Sequence, residues 1–104
     1  MKISLADLLN AFPALTWRER LHMMIRWRVC PLPAIAALVP PAGTILDLGC
    51  GHGLFSLLIA RQSPARHVIG IDLDAAKIQL AESIAAPNLR FICADIAAQT
   101  DLPP

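Results

Sequence analysis

The sequence predicts an α/β fold: a parallel sheet of about three strands with flanking helices, preceded by N-terminal helices. Three observations carry this. From residue 43 onward, short apolar runs alternate with amphipathic segments and tight turns, a β-α-β-α-β rhythm that implies parallel strands joined by right-handed crossovers. The apolar runs each deliver an aspartate at their end, at Asp47, Asp72 and Asp95. The composition, 56% apolar and 16% charged, suits a heavily buried domain and argues against disorder.

Each element follows from local chemistry. Ser4 is placed to cap a first helix, with Asp7 three residues on favouring the positive end of its dipole, and Pro13 limits it. "TWRERLHMMIRWRV" reads as a second helix capped by Thr16. Trp17, Leu21, Met24 and Arg28 fall on one stripe with Ile25 beside it, while Arg18, Glu19, His22 and Arg26 lie on other faces. Trp17, Trp27, Met23 and Met24 are expected in the core or as a lid over a pocket. "PLPAIAALVPP" places Pro33 in the first turn of a short helix that Pro40 and Pro41 end. "GTILDLG" is then a buried parallel strand. "LFSLLIARQ" is a helix whose Leu54–Leu58 and Phe55–Ile59 pairs face the core, with Ser56 and Gln62 turned away. "HVIGID" is a second strand, "DAAKIQLAESIA" a second amphipathic helix with Glu82 outside, and "LRFICAD" a third strand.

The chain of 104 residues bounds the answer to one domain. Its net charge of +1 gives no electrostatic case for nucleic acid. Residues 1–40 carry five basic and two acidic groups, so a basic helix over residues 16–29 raises peripheral contact with a membrane surface. Residues 29–46 are uncharged, but prolines at 31, 33, 40 and 41 exclude a membrane span. Asp7 and Asn10 interrupt the only stretch resembling a signal peptide. Cys30, Cys50 and Cys93 are odd in number and widely spaced, which fits reduced thiols in the cytoplasm and no metal motif.

The chemistry concentrates where the first strand runs into a helix. Gly49, Gly51 and Gly53 stand at alternate positions there, where glycine lets the chain take positive φ and lets a ligand approach the backbone. The following helix offers N–H groups and a positive dipole end. The dinucleotide spacing GxGxxG fails, because its third position is Leu54, and no GK[ST] follows to make a P-loop. The second strand ends at Asp72, 23 residues after Gly49, where a carboxylate can accept from both hydroxyls of a ribose. Asp95 ends the third strand at the same rim.

"ILDLGCGHG", "VIGIDLD" and "LRFICADI", in this order and covering about residues 43–97, closely resemble the class I S-adenosylmethionine-dependent methyltransferases. The resemblance implies a truncated Rossmann-like sheet in the order 3-2-1, S-adenosyl-L-methionine as cofactor, and methyl transfer to an unidentified acceptor. It implies that Asp47 and the backbone of Gly49, Gly51 and Gly53, with Cys50 in the same loop, hold the methionine part. Asp72 would then bind the ribose hydroxyls, Leu73 would pack on adenine, and Asp95 with the Ile96 backbone would meet the adenine amino group. Residues 1–42 would form an N-terminal helical segment, and residues 43–104 the cofactor-binding half of a methyltransferase domain.

Blander roles fit the other polar residues. His52 reads as filler at a loop position whose backbone matters; His22 and His67 read as surface or strand-start residues. Asp74 and Asp101 read as solvated or capping groups. Cys50 and Cys93 read as small apolar residues. The family's sheet has seven strands, of which this chain supplies three, so no catalytic residue can be matched. The first strand should then be an edge, and apolar positions along 45–48 and 68–71 should lie bare. A fragment of a full enzyme, half of a split enzyme completed by a partner chain, self-association through the open face, and a rearrangement of the N-terminal helices all fit; the fragment is favoured. A non-catalytic cofactor-binding or scaffold module is the alternative function.

Overall fold

A computed structural model describes residues 3–84 and 86–95. Three helices come first: α1 (Leu5–Leu9), α2 (Trp17–Val29) and α3 (Leu32–Ala36). Then strands and helices alternate as β1 (Gly43–Leu48), α4 (Leu54–Gln62), β2 (Arg66–Asp72), α5 (Ala75–Ala81) and β3 (Leu89–Cys93). Both predicted caps form complete capping boxes. The Ser4 hydroxyl accepts from the Asp7 N–H and the Asp7 carboxylate from the Ser4 N–H, and Thr16 and Glu19 repeat the exchange on α2. Asp74 caps α5 by accepting from the N–H groups of Ala76 and Lys77.

The sheet is parallel in the order β1-β2-β3, the predicted 3-2-1 read from the other edge. Ile45 pairs with Val68 and Val68 with Leu89; Asp47 pairs with Gly70 and Gly70 with Phe91. Because side chains alternate along strands, these residues share one face, and Leu46, Leu48, Ile69, Ile71 and Ile92 share the other. The helices cover the first face. Leu57, Leu58 and Ile59 of α4 join Leu8, Phe12, Met23, Leu32 and Val68 in one buried cluster, against which Ile45, Leu89 and Phe91 pack.

Three packing expectations change. The Trp17, Leu21, Met24 and Ile25 stripe of α2 faces solvent, with Trp17 70% exposed, whereas Met23 is buried and Trp27 packs against the core. The helix carries two apolar stripes, and the shorter one docks. Ser56 is fully buried rather than turned away, because it has a partner on β1. Ile69 and Ile71 of the central strand are buried; on that face it is Leu48 of β1 that is half-exposed. Among the described residues β1 pairs only with β2, and no helix is long and apolar enough to cross a membrane.

The amino ends of the strands are fastened by two polar side chains. The Arg66 guanidinium, 5% exposed, donates to the carbonyls of Val39, Pro40 and Ile59 and to the Gln62 side chain. The Asn88 amide donates to the carbonyls of Ala60, Ser63 and Arg66. Together they hold the α3–β1 connection, the end of α4 and the starts of β2 and β3 in one place, which leaves the opposite, carboxyl ends to carry the loops.

Candidate functional site

The loop after β1 is shaped by its backbone. The N–H groups of Gly49 and Cys50 both donate to the Ile71 carbonyl, at 2.7 and 3.1 Å, so the chain leaves β1 while still held by the end of β2. Gly51 and Gly53 then take φ of +59° and +90°, in the left-handed region that glycine enters without strain. A side chain at Gly53 would also collide with the Phe91 ring, 2.7 Å from the position of a Cβ. Above Gly49 there is open space, and a Cβ on Gly51 would meet only Arg26 Nη1, at 3.9 Å. The loop is thus a backbone-lined cradle. Its floor opens onto α4, whose first turn has no side-chain cap on its N–H groups.

Two carboxylates flank the cradle in different states. Asp47 lies on the helix-covered face, where Ser56 Oγ donates to its Oδ2 at 2.5 Å. Burial raises its pKa above the ordinary carboxylate value; the Ser56 hydroxyl and the Arg26 charge pull the other way. Asp72 sits at the carboxyl end of β2. Its Oδ1 accepts from the Asp74 N–H and its Oδ2 from the Gly51 N–H, both at 2.8 Å. Those two N–H groups, Asp74 foremost, hold its carboxyl below the ordinary value, so Asp72 is firmly ionised near neutrality. The bond to Gly51 fixes the distance between glycine loop and carboxylate.

The predicted site residues therefore fall as follows. Asp47, Gly49, Cys50, Gly51, Gly53 and Asp72 gather around one loop. Leu73, 68% exposed, follows Asp72, and its carbonyl accepts from the Cys93 thiol at 3.5 Å. The Ala94 N–H donates to the Asp72 carbonyl, which brings Asp95 to the same rim after β3. Ile96 and Asp101 lie outside the described residues. Cys50 is buried beside Asp47 and Asp72, and burial first, then those charges, push its thiol up to about 12; it carries no nucleophilic thiolate at neutral pH.

Sequence reasoning missed four participants. Ser56 was signalled by being the one hydroxyl within the apolar run 54–60, a pattern that asks for an internal partner. Arg26, His22 and Glu19 of α2 had no such signal. The rings of His22 and His52 meet edge-on, with centroids 5.8 Å apart, which sets α2 against the glycine loop. Partial burial and then the Lys77 charge keep the His52 pKa below its usual value, so it is mostly neutral near pH 7. A groove of about 400 Å³ between Thr44, His67, Asn88 and Arg90 lies at the amino ends of the strands, away from these groups.

Comparison with known proteins places this arrangement among relatives. The family described as "Methyltransferase domain" matches residues 45–104, more than half of the chain. Trans-aconitate 2-methyltransferase of Deinococcus radiodurans is 35% identical over 85 residues, covering 79% of this chain and 33% of the relative. The chain spans about a third of the length of that curated relative. Among solved structures, the S-adenosylmethionine-dependent methyltransferase SibL, in its apo form, superposes with a TM-score of 0.63 at 20% identity, over 92% of this chain and 37% of that one. The plantazolicin methyltransferase BpumL, in complex with SAH, superposes with a TM-score of 0.59 at 23% identity, over 89% of this chain and 40% of that one. These two likenesses concern the fold.

Proposed function

The chain belongs to the methyltransferase domain family, and from that membership we propose that it binds S-adenosyl-L-methionine and forms the cofactor-holding portion of an enzyme that transfers a methyl group to an acceptor. The observation that carries this is the Asp72 carboxylate, ionised and tied to the Gly51 N–H across the loop. A carboxylate at the end of the second strand is placed to accept from a ribose diol. The open cradle above Gly49 and Gly51 supplies room for the group bonded to that ribose. The residues fit the cofactor: acceptors for hydroxyls and an ammonium, and backbone donors for a carboxylate.

When bound, S-adenosyl-L-methionine supplies a methyl group activated on a sulfonium centre. The work of this chain is then binding and orientation. Asp72 fixes the nucleoside, Asp47 and the loop backbone fix the amino-acid end, and exposed Leu73 and Asp95 flank the base. By holding both ends of the cofactor, these residues would fix the direction in which the methyl group is offered, and such positioning supplies much of the acceleration in transfer reactions.

Other features support coarser expectations. The three cysteines are free, which favours a reducing compartment such as the cytoplasm. The outer edge of β1 and half-exposed Leu48 favour a further segment pairing there, from a longer chain or from a partner. On α2, Trp17, Ile25 and Val29 are exposed among Arg18 and Arg28, which favours contact with an anionic surface.

Calorimetric titration tests the cofactor reading. The 104-residue chain should bind S-adenosyl-L-methionine saturably and NAD not at all. Asp72→Ala should weaken binding about 10- to 100-fold, the effect of removing a charged hydrogen-bond acceptor. A cooperative thermal transition without any binding would sink the reading.

A further inference from the structure

We propose that the exposed face of α2 docks on an anionic lipid bilayer, an inference that deepens the reading of α2 as favouring an anionic surface and is independent of the cofactor site. Nine large hydrophobic residues are exposed among the described residues, and five of them, Trp17, Leu21, Met24, Ile25 and Val29, lie on this one helix. At 3.6 residues per turn they occupy a single arc of roughly 140°. Another side of the helix is spent on the fold, through buried Met23 and through Trp27, which packs against the core. The arc is therefore not a misplaced core face. It is a second apolar surface, about 20 Å long for 13 residues. It stands ready-made: the Thr16–Glu19 capping box fixes the first turn of α2, and the His22–His52 contact sets the helix against the glycine loop.

The charges on the arc choose the partner. Around the helix, Arg28 falls between Trp17 and Leu21, Arg18 falls between Ile25 and Val29, and Arg20 borders the arc. All three arginines are exposed, and among the described residues no carboxylate pairs with them. The Arg18 guanidinium lies over the Trp17 ring, 5.4 Å from its centroid. The one acidic residue of α2, Glu19, is engaged in the cap and lies about 150° from the middle of the arc. A protein groove, or a further segment of a longer chain, would bury these interleaved guanidinium groups along with their apolar neighbours and would have to supply a carboxylate to each. A nucleic acid would match the cations but leave five apolar side chains without apolar contact. An anionic bilayer satisfies both sets. Apolar side chains reach the acyl boundary, while arginine stems lie along them and keep the guanidinium groups among the phosphates. The Trp17 indole, an apolar ring with one N–H donor, suits the same layer. The charge of the chain is polarised in the matching sense: residues 1–40 carry five basic and two acidic groups, residues 41–104 four basic and six acidic.

The test is co-sedimentation of the 104-residue chain with vesicles of phosphatidylcholine alone and of phosphatidylcholine with a third of phosphatidylglycerol. The unaltered chain should bind the anionic vesicles at least about 10-fold more tightly than the neutral ones. Its tryptophan emission should shift to the blue and be quenched by lipid brominated on the acyl chain. Trp17→Phe should remove both signals, since Trp27 packs against the core. Arg28→Gln should weaken binding about 5-fold, whereas Arg90→Gln, the same change of charge at an exposed arginine of β3, should stay within about 2-fold. The vesicle comparison needs no substitution, so it stands even if a variant fails to fold. Equal binding to both kinds of vesicle would overturn the proposal, as would equal losses in Arg28→Gln and Arg90→Gln, which would mean adhesion by net charge. A concentration-dependent blue shift without vesicles would assign the face to a second copy of the chain and overturn it too. Retention on polyacrylate without binding to vesicles would overturn the bilayer while leaving the coarser reading of an anionic surface; retention on neither would overturn both.

Discussion

Asp47 and Asp72 show how two residues of one type, near the carboxyl ends of consecutive strands, take opposite electrostatic characters. Asp72 is ionised and held by backbone donors; Asp47 is partly buried and leans on one hydroxyl. The consequence for Asp47 is a pH dependence of known sign. Its folded pKa is raised, so the native chain binds a proton more tightly than the unfolded chain between the ordinary carboxylate value and the raised one. Stability attributable to this group therefore falls as pH rises through that window. Ser56 counters the effect by hydrogen-bonding the ionised form. Ser56→Ala should cost about 1–3 kcal/mol at neutral pH. The gap from the parent chain should narrow below the carboxylate range, as urea melts at several pH values would register. A gap independent of pH would mean that Ser56 acts by filling space alone. Both aspartates were legible in the sequence, because residue type and strand-end position coincide. Their different protonation was not, since it depends on which atoms close over them. Arg26 was illegible for a related reason: periodicity finds the stripes of a helix but does not choose between two of them.

At the level of elements, the junction from β1 through the glycines into α4 is the most constrained part of the fold. Gly53 combines a φ of +90° with a Phe91 ring 2.7 Å from a would-be Cβ. Gly53→Ala should therefore destabilise by more than the ~1–3 kcal/mol of backbone strain alone. It should also weaken cofactor binding by shifting the start of α4. Gly43→Ala is the contrast: it has positive φ but nothing within 4 Å, so it should show the strain without the collision. Thermal melts and calorimetry on the two variants separate these terms, and equal losses would contradict the role assigned to Phe91. The strand–loop–helix order here was legible because a short apolar run, alternating glycines and an amphipathic segment each obey a local rule. The reach of Phe91 from β3 across Gly70 to Gly53 was not, because it joins residues far apart in the chain.

Across the whole molecule, the two ends of the sheet are built from different chemistry. At the amino ends, Arg66 and Asn88 bind carbonyls and an amide, and among the described residues no carboxylate takes part in that cluster. At the carboxyl ends, the glycine loop is tied to an ionised Asp72. Asp72 has a lowered pKa, so its stabilisation is present above the ordinary carboxylate value and is lost as pH falls through the lowered one. Hydrogen exchange should report the division: protection at Gly51 and Asp74 should drop in acid, while that at Gly43 and Val68 should hold. A uniform loss of protection would show instead that the sheet opens as one unit. The Arg66 cluster carries a wider implication. A fastening made of a permanent cation and neutral oxygens neither titrates over the working range of pH nor competes with dissolved salt for a counter-charge. One rim of the sheet is in that sense deaf to the solution, and the other, where a ligand would enter, is left to listen.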